Sequence, residues 1–317
     1  MPDSASPTAP SPAADLPPGV TGDAAFDVLL GRMQAKGDFP ALSDSVSRIV
    51  EITSSEKGSV ADLADQILRD VALTQKLLRL VNSVHFAHPG RSGVSSVSRA
   101  VILVGFNAVR NMALSVVLME HMKDKVNTGQ LKQDFLHAML AGSLAGELCA
   151  VPHDVEDAFV GAMFQNLGRM LAGFYFPGEA AEVRRLVVAG QYASGEDGAS
   201  AKTLGVSYEN LGINVAKLWG MPETLLRCMR KPSGVPPPKP PDQPLERLRW
   251  TTLAASEIAD VLLTAEPAQQ APRLARLAER YARTLTLTPK GVEAAILKAR
   301  QKLKTLAQAL RLDLTMK

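Results

Sequence analysis

The chain has 317 residues, of which 46% are hydrophobic, 21% are charged and 5% are aromatic. That length corresponds to roughly two domains of about 150 residues, and the composition excludes a wholly disordered or collagen-like chain. The formal net charge of +3, from 35 Lys and Arg against 32 Asp and Glu, does not by itself indicate nucleic acid or anionic lipid as a partner.

Two segments differ from the rest in composition. Residues 1–22 are mostly Pro, Ala and Ser, and we predict a disordered tail because they offer little apolar surface to offset the entropy lost on ordering. Residues 231–244 are rich in Pro, which removes backbone donors and favours an extended chain. This second segment therefore predicts a linker.

The sequence gives no sign of export or of a membrane span. The N-terminal segment lacks the basic and apolar regions of a secretory signal. The most apolar stretch, residues 97–119, is interrupted by Arg99 and Asn107. Cys149 and Cys228 lack Cys-x-x-Cys spacing, so a disulfide framework or zinc site is not indicated. We expect a cytoplasmic protein whose cysteines are small buried side chains.

Apolar residues recur with helical spacing along most of the chain, with almost no alternation of the kind typical of strands, so we predict an all-α fold. Ser59 and Asp62 form a capping-box-like start, Asp70 is placed to cap the next helix, and Ser95 or Ser98 starts a third. Further helices are predicted at about 131–150, 155–166, 169–175, 179–190, 196–204, 207–219, 222–230, 245–264, 270–284 and 289–312.

Three features of the first half identify a family resemblance. Phe39 and Pro40 are followed by Leu42, residues 69–83 read RDVALTQKLLRLVNS, and residues 104–111 carry a Val-Gly-Phe break before Val-Arg-Asn. Together they resemble the HDOD family, the HD-related output domain of bacterial signalling proteins. The resemblance covers residues 30–230.

The resemblance implies a two-lobed helical HDOD domain at residues 23–230. Residues 23–121 would form the N-terminal lobe, and residues 122–230 a second lobe similar to a degenerate HD phosphohydrolase. We expect the C-terminal helices, residues 245–317, to pack on this body, since about 70 residues in three amphipathic helices make a marginal core on their own.

The resemblance also places a site in the second lobe. HD enzymes hold a metal ion with a His, a His-Asp pair and a later Asp. His137 stands at the first His position, Gln165 and Asn166 stand at the pair, and Tyr208 stands where many relatives have a further His. Neutral amides are poor ligands for transition metals. We therefore expect no metal, no cofactor and no catalysis, with His137 in a structural role.

Two functions from different classes follow from this pattern. The first is a non-catalytic regulatory module that acts by contact with an unidentified protein partner in a signalling pathway. The alternative is a residual HD-type metal-dependent phosphohydrolase, or a module that binds a nucleotide such as a cyclic nucleotide.

Two further features have weaker functional interpretations. A Pro/Gly-rich loop with His85, His88 and Arg91 is a candidate binding loop. Basic residues recur at helical spacing near the C-terminus, and we interpret them as a solvated helix face in preference to a nucleic-acid surface because few aromatic residues accompany them. They are Arg273, Arg276, Arg280, Arg283, Lys298, Lys302 and Lys304.

Overall fold

The computed structural model describes most of the chain from residue 129 onwards and parts of the chain before it. The described ranges are 20–37, 60–68, 96–104, 129–192, 194–221 and 223–310, with positions 39, 49, 74–75, 77–78, 81, 109–110, 112–114, 116–118 and 121. Over these ranges the secondary structure is helical and contains no strand, which confirms the all-α prediction. No helix there is long and apolar enough to span a membrane.

The first lobe contains α1 (Asp23–Gln34), α2 (Val60–Leu68) and α3 (Val97–Val104). Ser96 stands immediately before α3, and its Oγ accepts a hydrogen bond from the Arg99 backbone N–H at 3.3 Å. The cap is therefore Ser96, and Ser98 lies inside the helix, contrary to the prediction. A cap must precede the first turn in order to reach its free N–H groups.

Three of the helix-start residues named from the sequence fall outside the described part of the chain. They are Ser59, Asp70 and Ser95. One face of α2 is apolar and buried, since Leu63 and Ile67 on it are fully enclosed.

The second lobe and the helices beyond it follow the predicted boundaries to within three residues. Their bounds are α4 (Gly129–Leu148), a 3-10 turn (Pro152–Asp154), α5 (Val155–Gln165), α6 (Leu167–Tyr175), α7 (Pro177–Val188), α8 (Gly195–Leu204), α9 (Tyr208–Leu218), α10 (Glu223–Met229), α11 (Pro244–Thr264), α12 (Pro267–Leu285) and α13 (Pro289–Leu310). Several of them begin on Pro, whose missing N–H costs nothing in the first turn.

An aromatic cluster joins the two lobes. The Phe39 ring of the first lobe lies 5.8 Å from the Tyr175 ring and 6.1 Å from the Trp219 ring, measured between centroids. Arg32 on α1 adds an ion pair to Glu179 on α7. Trp219, at the end of α9, is buried and anchors this end of the core.

The C-terminal helices pack on the second lobe. α11 lies against α4 and α5, α13 lies against α4, and α12 lies against α11. Leu248, Ile258, Ile296 and Leu303 belong to the same buried core as the second lobe. Because α4 is covered from several sides, most of its residues from Asp134 onwards are buried.

The Pro-rich segment is held against the helices that follow it. The Thr284 hydroxyl donates to the Pro237 carbonyl at 2.6 Å, and Arg249 donates to the carbonyls of Arg230 and Lys231 at 2.8 Å. α11 begins at Pro244, one residue inside the linker predicted for 231–244. At the other end, the Gly22 N–H donates to the Gly205 carbonyl, while residues 1–19 of the predicted tail lie outside the described ranges.

Helices α6 and α9 cross at a pair of glycines. A Cβ atom built on Gly168 would lie 1.8 Å from the Tyr208 carbonyl oxygen, and one built on Gly212 would lie 2.8 Å from the Gly168 nitrogen. These distances are far below van der Waals contact and involve backbone atoms on both sides. The two backbones can therefore approach this closely only if both positions are Gly.

We predict that Gly168→Ala destabilises the protein by about 3 kcal/mol or more, because the added methyl group forces two packed helices apart. Urea unfolding of purified variants measures the effect. Gly178→Ala is the matched control, since a Cβ atom at Gly178 meets nothing within 4 Å. Equal stability of the two variants would contradict the prediction.

A buried carboxyl group lies in the first turn of α5. Glu156 is only 4% exposed. Burial raises its pKa to about 7 against the effect of a backbone hydrogen bond, and the carboxylates of Asp157 and Asp154 add to the rise. Because the folded pKa lies above the ordinary value, the protonated form favours folding. This contribution to stability is complete below about pH 4.5 and is lost as the pH rises through 7.

We predict that Glu156→Gln raises the free energy of unfolding by roughly 2 kcal/mol at pH 8 and by much less at pH 5, because Gln is neutral at both pH values. Chemical denaturation at the two pH values measures this difference. The control is Glu293→Gln at an exposed position. A gain for Glu156→Gln that is the same at both pH values would show that the charge is not its cause.

Candidate functional site

Side chains from several helices of the second lobe and from α11 surround a cavity of about 280 Å³. Every lining side chain except Leu253 carries a polar or charged group, and carboxylates are more numerous than cations. The lining consists of His137, Gln165, Asn166, Arg169, Glu196, Tyr208, Glu209, Lys231, Leu253, Ser256, Glu257 and Asp260. The four HD-site positions named from the sequence, His137, Gln165, Asn166 and Tyr208, thus lie around one cavity.

His137 projects from α4 and is 4% exposed. Its Nε2 lies 2.9 Å from Asp260 Oδ1 and 3.3 Å from the Ser256 carbonyl oxygen. Both partners are acceptors, so Nε2 carries a proton and donates it. The other ring nitrogen, Nδ1, is buried without a hydrogen-bond partner.

Gln165 and Asn166 stand where α5 ends and are almost fully buried. The Gln165 amide donates to Thr252 Oγ1 at 3.4 Å and accepts from Ser256 Oγ at 3.3 Å. The Asn166 amide donates to the Ala162 carbonyl at 2.9 Å and makes a longer contact of 3.5 Å with Ser256 Oγ. Both amides therefore bond to α11, and Asn166 also satisfies a carbonyl at the end of α5.

Arg169 lies one turn beyond these amides and bridges two carboxylates. Its Nη2 donates to Glu196 Oε2 at 2.7 Å, and its Nη1 approaches Asp260 Oδ1 at 3.5 Å. Burial acts to lower the Arg169 pKa, but the charges of Glu196 and Asp260 outweigh it and raise the pKa above its usual value. The guanidinium is therefore charged at any physiological pH.

Asp260 is the residue on which these contacts converge. Burial alone would raise its pKa, but the hydrogen bond and charge of His137, followed by Arg169, lower it to about 2. The side chain is 45% exposed, on the cavity side. Asp260 is thus an ionised acceptor for two donors at any pH near neutral.

Tyr208 begins α9 and forms another wall of the cavity. Its backbone N–H donates to Ser200 Oγ at 3.1 Å. Burial, with the charges of Glu196 and Asp134, raises the pKa of the Tyr208 hydroxyl, so the hydroxyl stays protonated. Lys231 also lines the cavity, and its Nζ lies 3.1 Å from Asp197 Oδ2.

Sequence reasoning missed Arg169, Glu196 and Asp260. Two signals could have found them. The first signal is that Arg169 follows the amides of Gln165 and Asn166 by only three or four residues. The second is that Thr252, Ser256 and Asp260 recur at spacings of four on a largely apolar helix and so form a polar stripe. Glu196 had no such signal, because acidic residues are common in first turns.

Other sequence candidates lie away from this cavity. The loop residues His85, His88 and Arg91 fall outside the part of the chain that the structure describes. Cys228 is buried and Cys149 is half-buried. Burial raises the pKa of both thiols, which disfavours the reactive thiolate form.

The side chains at the cavity do not fit a catalytic divalent ion. Gln165 and Asn166 offer neutral amides already engaged in hydrogen bonds. A His that ligates through Nε2 normally donates its Nδ1 proton to a neighbour, whereas His137 carries its proton on Nε2 and its Nδ1 has no acceptor. Over the described ranges, no group of three or more His, Cys, Asp or Glu side chains could hold a metal ion.

An all-α body with a cavity at the position of an HD site defines a helical HD-like domain. The family model of the HDOD domain matches residues 39–233, and the chain belongs to this family. Asp260, which completes the contacts around His137, lies outside the matched residues.

Solved structures share the fold. One, named as a candidate phosphohydrolase from Shewanella amazonensis SB2B, has a TM-score of 0.57 at 17% identity and covers 88% of this chain and 97% of that one. An HDOD domain protein of unknown function from Geobacter sulfurreducens has a TM-score of 0.55 at 18% identity and covers 83% of this chain and 91% of that one.

A curated relative is similar at the level of sequence. It is an uncharacterized protein from Treponema pallidum (strain Nichols), 24% identical over 245 residues. The match covers 74% of this chain but only 45% of the relative. The chain therefore spans less than half the length of that protein.

We predict that Asp260→Asn destabilises the protein by about 1–2 kcal/mol at pH 7, a figure reduced to allow for the half-exposed side chain. The folded pKa lies below the ordinary value, so this stabilisation is present above about pH 4 and is lost as the pH falls towards 2. Urea unfolding at pH 7 and pH 3 tests it, with the exposed Asp242→Asn as control. A loss at pH 3 as large as that at pH 7 would contradict the charge argument.

Proposed function

We propose that this HDOD protein is a non-catalytic regulatory module that acts through contact with a protein partner in a signalling pathway. The observation that carries the proposal is that the side chains next to His137 are poor metal ligands and are already hydrogen-bonded within the protein. The two positions of the His-Asp pair hold the amides of Gln165 and Asn166, and both amides make hydrogen bonds to α11. Hydrolysis by this class of enzyme needs a metal ion that acidifies a bound water.

The charge distribution supports this proposal over the nucleotide-binding alternative. Four carboxylates line the cavity against the two cations Arg169 and Lys231. Both cations are already paired, Arg169 with Glu196 at 2.7 Å and Lys231 with Asp197 at 3.1 Å. A phosphate group entering the cavity would therefore meet carboxylates in excess and compete for cations that have partners.

The C-terminal basic residues offer little support for nucleic acid as the partner. Arg280 pairs with Glu257 at 3.1 Å and lies over the Tyr281 ring. Lys298 and Lys302 both pair with Glu147 of α4. These cations are partly neutralised within the fold, which reduces the charge available to phosphates. A protein surface is the better match.

We predict no phosphodiesterase or phosphomonoesterase turnover with cyclic dinucleotides, nucleotides or aryl phosphates in the presence of Mn²⁺, because water activation at a metal is missing. Protein purified without chelators is expected to carry no stoichiometric transition metal by elemental analysis. Wild-type turnover that His137→Ala abolishes would overturn the proposal and favour a residual phosphohydrolase.

A gain-of-ligand variant is the positive control for these assays. It combines Gln165→His, Asn166→Asp and Tyr208→His, which restores the residue types expected in HD enzymes. Affinity capture from native lysate tests the contact itself. A stoichiometric protein partner is the expected result, and recovery of a phosphorylated small molecule without a protein would favour the alternative.

A further inference from the structure

We propose that the open face of the helical hairpin formed by α12 and α13 is the surface through which two copies of this chain associate. The two helices are joined by residues 286–288 alone, and a largely apolar groove of about 510 Å³ lies between them. The inference goes beyond the proposed function, because it concerns the association of the chain with itself and uses no residue of the His137 cavity.

The groove is open because small side chains line one of its walls. α12 contributes mainly Ala there, whereas α13 contributes larger apolar side chains. The apolar residues at its centre are Ala271, Leu274, Ala275 and Ala278 on α12 with Ile296 and Leu297 on α13. Leu297 is 70% exposed at the rim of this groove. A second helix laid over the groove would bury Leu297 and the Ala wall, which is a favourable loss of apolar surface from water.

A stripe on α13 carries charges of both signs around this leucine. Glu293, Leu297 and Arg300 follow one another at spacings of four and three, so they share one face of the helix, and all three are exposed and line the groove. Glu293 and Arg300 are about 10 Å apart along the helix axis, which is beyond the range of pairing within one helix. Among the residues that the structure describes, neither has an ion-pair partner.

The stripe is complementary to its own reverse. A two-fold axis beside Leu297 makes the α13 helices of two copies antiparallel and brings the two Leu297 side chains together. Glu293 of each copy then lies near Arg300 of the other, and the pair forms twice because a two-fold interface uses the same patch on both sides. Each α13 covers the groove of the other copy, so the two hairpins form a four-helix bundle, which is a common packing of antiparallel helices.

The two signs of charge favour a second copy over a helix of uniform charge. An acidic helix in the groove would pair with Arg300 but would place a like charge beside Glu293. A basic helix would have the opposite fault. Like charges that face each other across an interface oppose binding, so the best partner has one charge of each sign at this spacing. The chain itself has them.

The lysines of α13 oppose this association only weakly. Lys298 and Lys302 are paired with Glu147 of their own chain, so they add little positive charge at the interface. Lys290 and Lys304 lie at the two ends of the stripe and are exposed. They would face each other across the axis at the edge of the interface, where solvent and salt screen their repulsion.

Sedimentation equilibrium of the full chain at up to about 100 µM tests the association. The chain mass is 33.8 kDa, and wild type is expected to sediment as a dimer of twice that mass. Leu297→Asp is expected to weaken the dimer at least about tenfold, because it places two carboxylates together at the axis. The matched control is Val188→Asp on α7, at a position that is 89% exposed, and it is expected to leave the dimer unchanged.

Charge reversal tests the antiparallel register. Glu293→Arg alone and Arg300→Glu alone each place like charges together at both ends of the interface, so each is expected to weaken the dimer about tenfold. The double variant exchanges the two charges and restores both pairs, and its dissociation constant is expected to return to within about threefold of wild type. A different partner protein could not be restored in this way, because its own charges are unchanged.

Three results would overturn the inference. They are a monomeric wild type, a dimer that survives Leu297→Asp, and a double charge variant that associates no more tightly than the single variants. Circular dichroism melting checks that each variant is folded, which we expect because the substituted side chains are exposed. If Leu297→Asp does not fold, the charge variants decide the question. None of these results alters the proposed function, whose assays measure turnover and metal content.

Discussion

The packing of α11 on α4 and α5 is the contact on which the site depends. Thr252, Ser256 and Asp260 follow one another at spacings of four and so form a polar stripe on one face of α11. Each of them contacts a polar side chain of the HD-like lobe. Thr252 contacts Gln165, Ser256 contacts Asn166, and Asp260 contacts His137. The stripe satisfies groups that would otherwise be buried without partners, which is a condition for this interface to be stable.

The same contact accounts for the chemistry at the cavity. An amide has both a donor and an acceptor, so Gln165 donates to Thr252 Oγ1 and accepts from Ser256 Oγ, and neither bond needs a charged group. Two acceptors, Asp260 Oδ1 and the Ser256 carbonyl oxygen, face His137 Nε2 and make it a hydrogen-bond donor. The two amides thus use hydrogen bonds within the protein, whereas His137 Nδ1 is buried without a partner.

Sequence reasoning located the helices well because their limits are local. Pro244 and Pro289 mark helix starts whose signals lie within a few residues. The cap of α3 was misplaced by one or two residues, since several serines compete there and only the three-dimensional turn selects Ser96. The close approach at Gly168 and Gly212 could not be predicted, because it depends on how two separate helices cross.

Only part of the site could be predicted from the sequence, because its residues come from segments that are far apart in the chain. The family resemblance located His137, Gln165, Asn166 and Tyr208, but it ended near residue 230, whereas their partners on α11 come later. Asp260 is more than 120 positions from His137 in sequence, and no local pattern encodes a pairing over that distance. Only its helical register with Thr252 and Ser256 pointed to a shared face.

It follows that the family-matched segment does not include every residue that packs around the cavity. Residues 39–233 without α11 would leave the His137 ring facing no acceptor on Asp260 or Ser256, and would leave the apolar face of α4 uncovered. Buried donors without acceptors cost about 1–3 kcal/mol each, and the lost burial adds to that cost. α11 therefore supplies both hydrogen-bond partners and apolar cover to the family-matched segment, and Asp260 is one of the residues through which it does so.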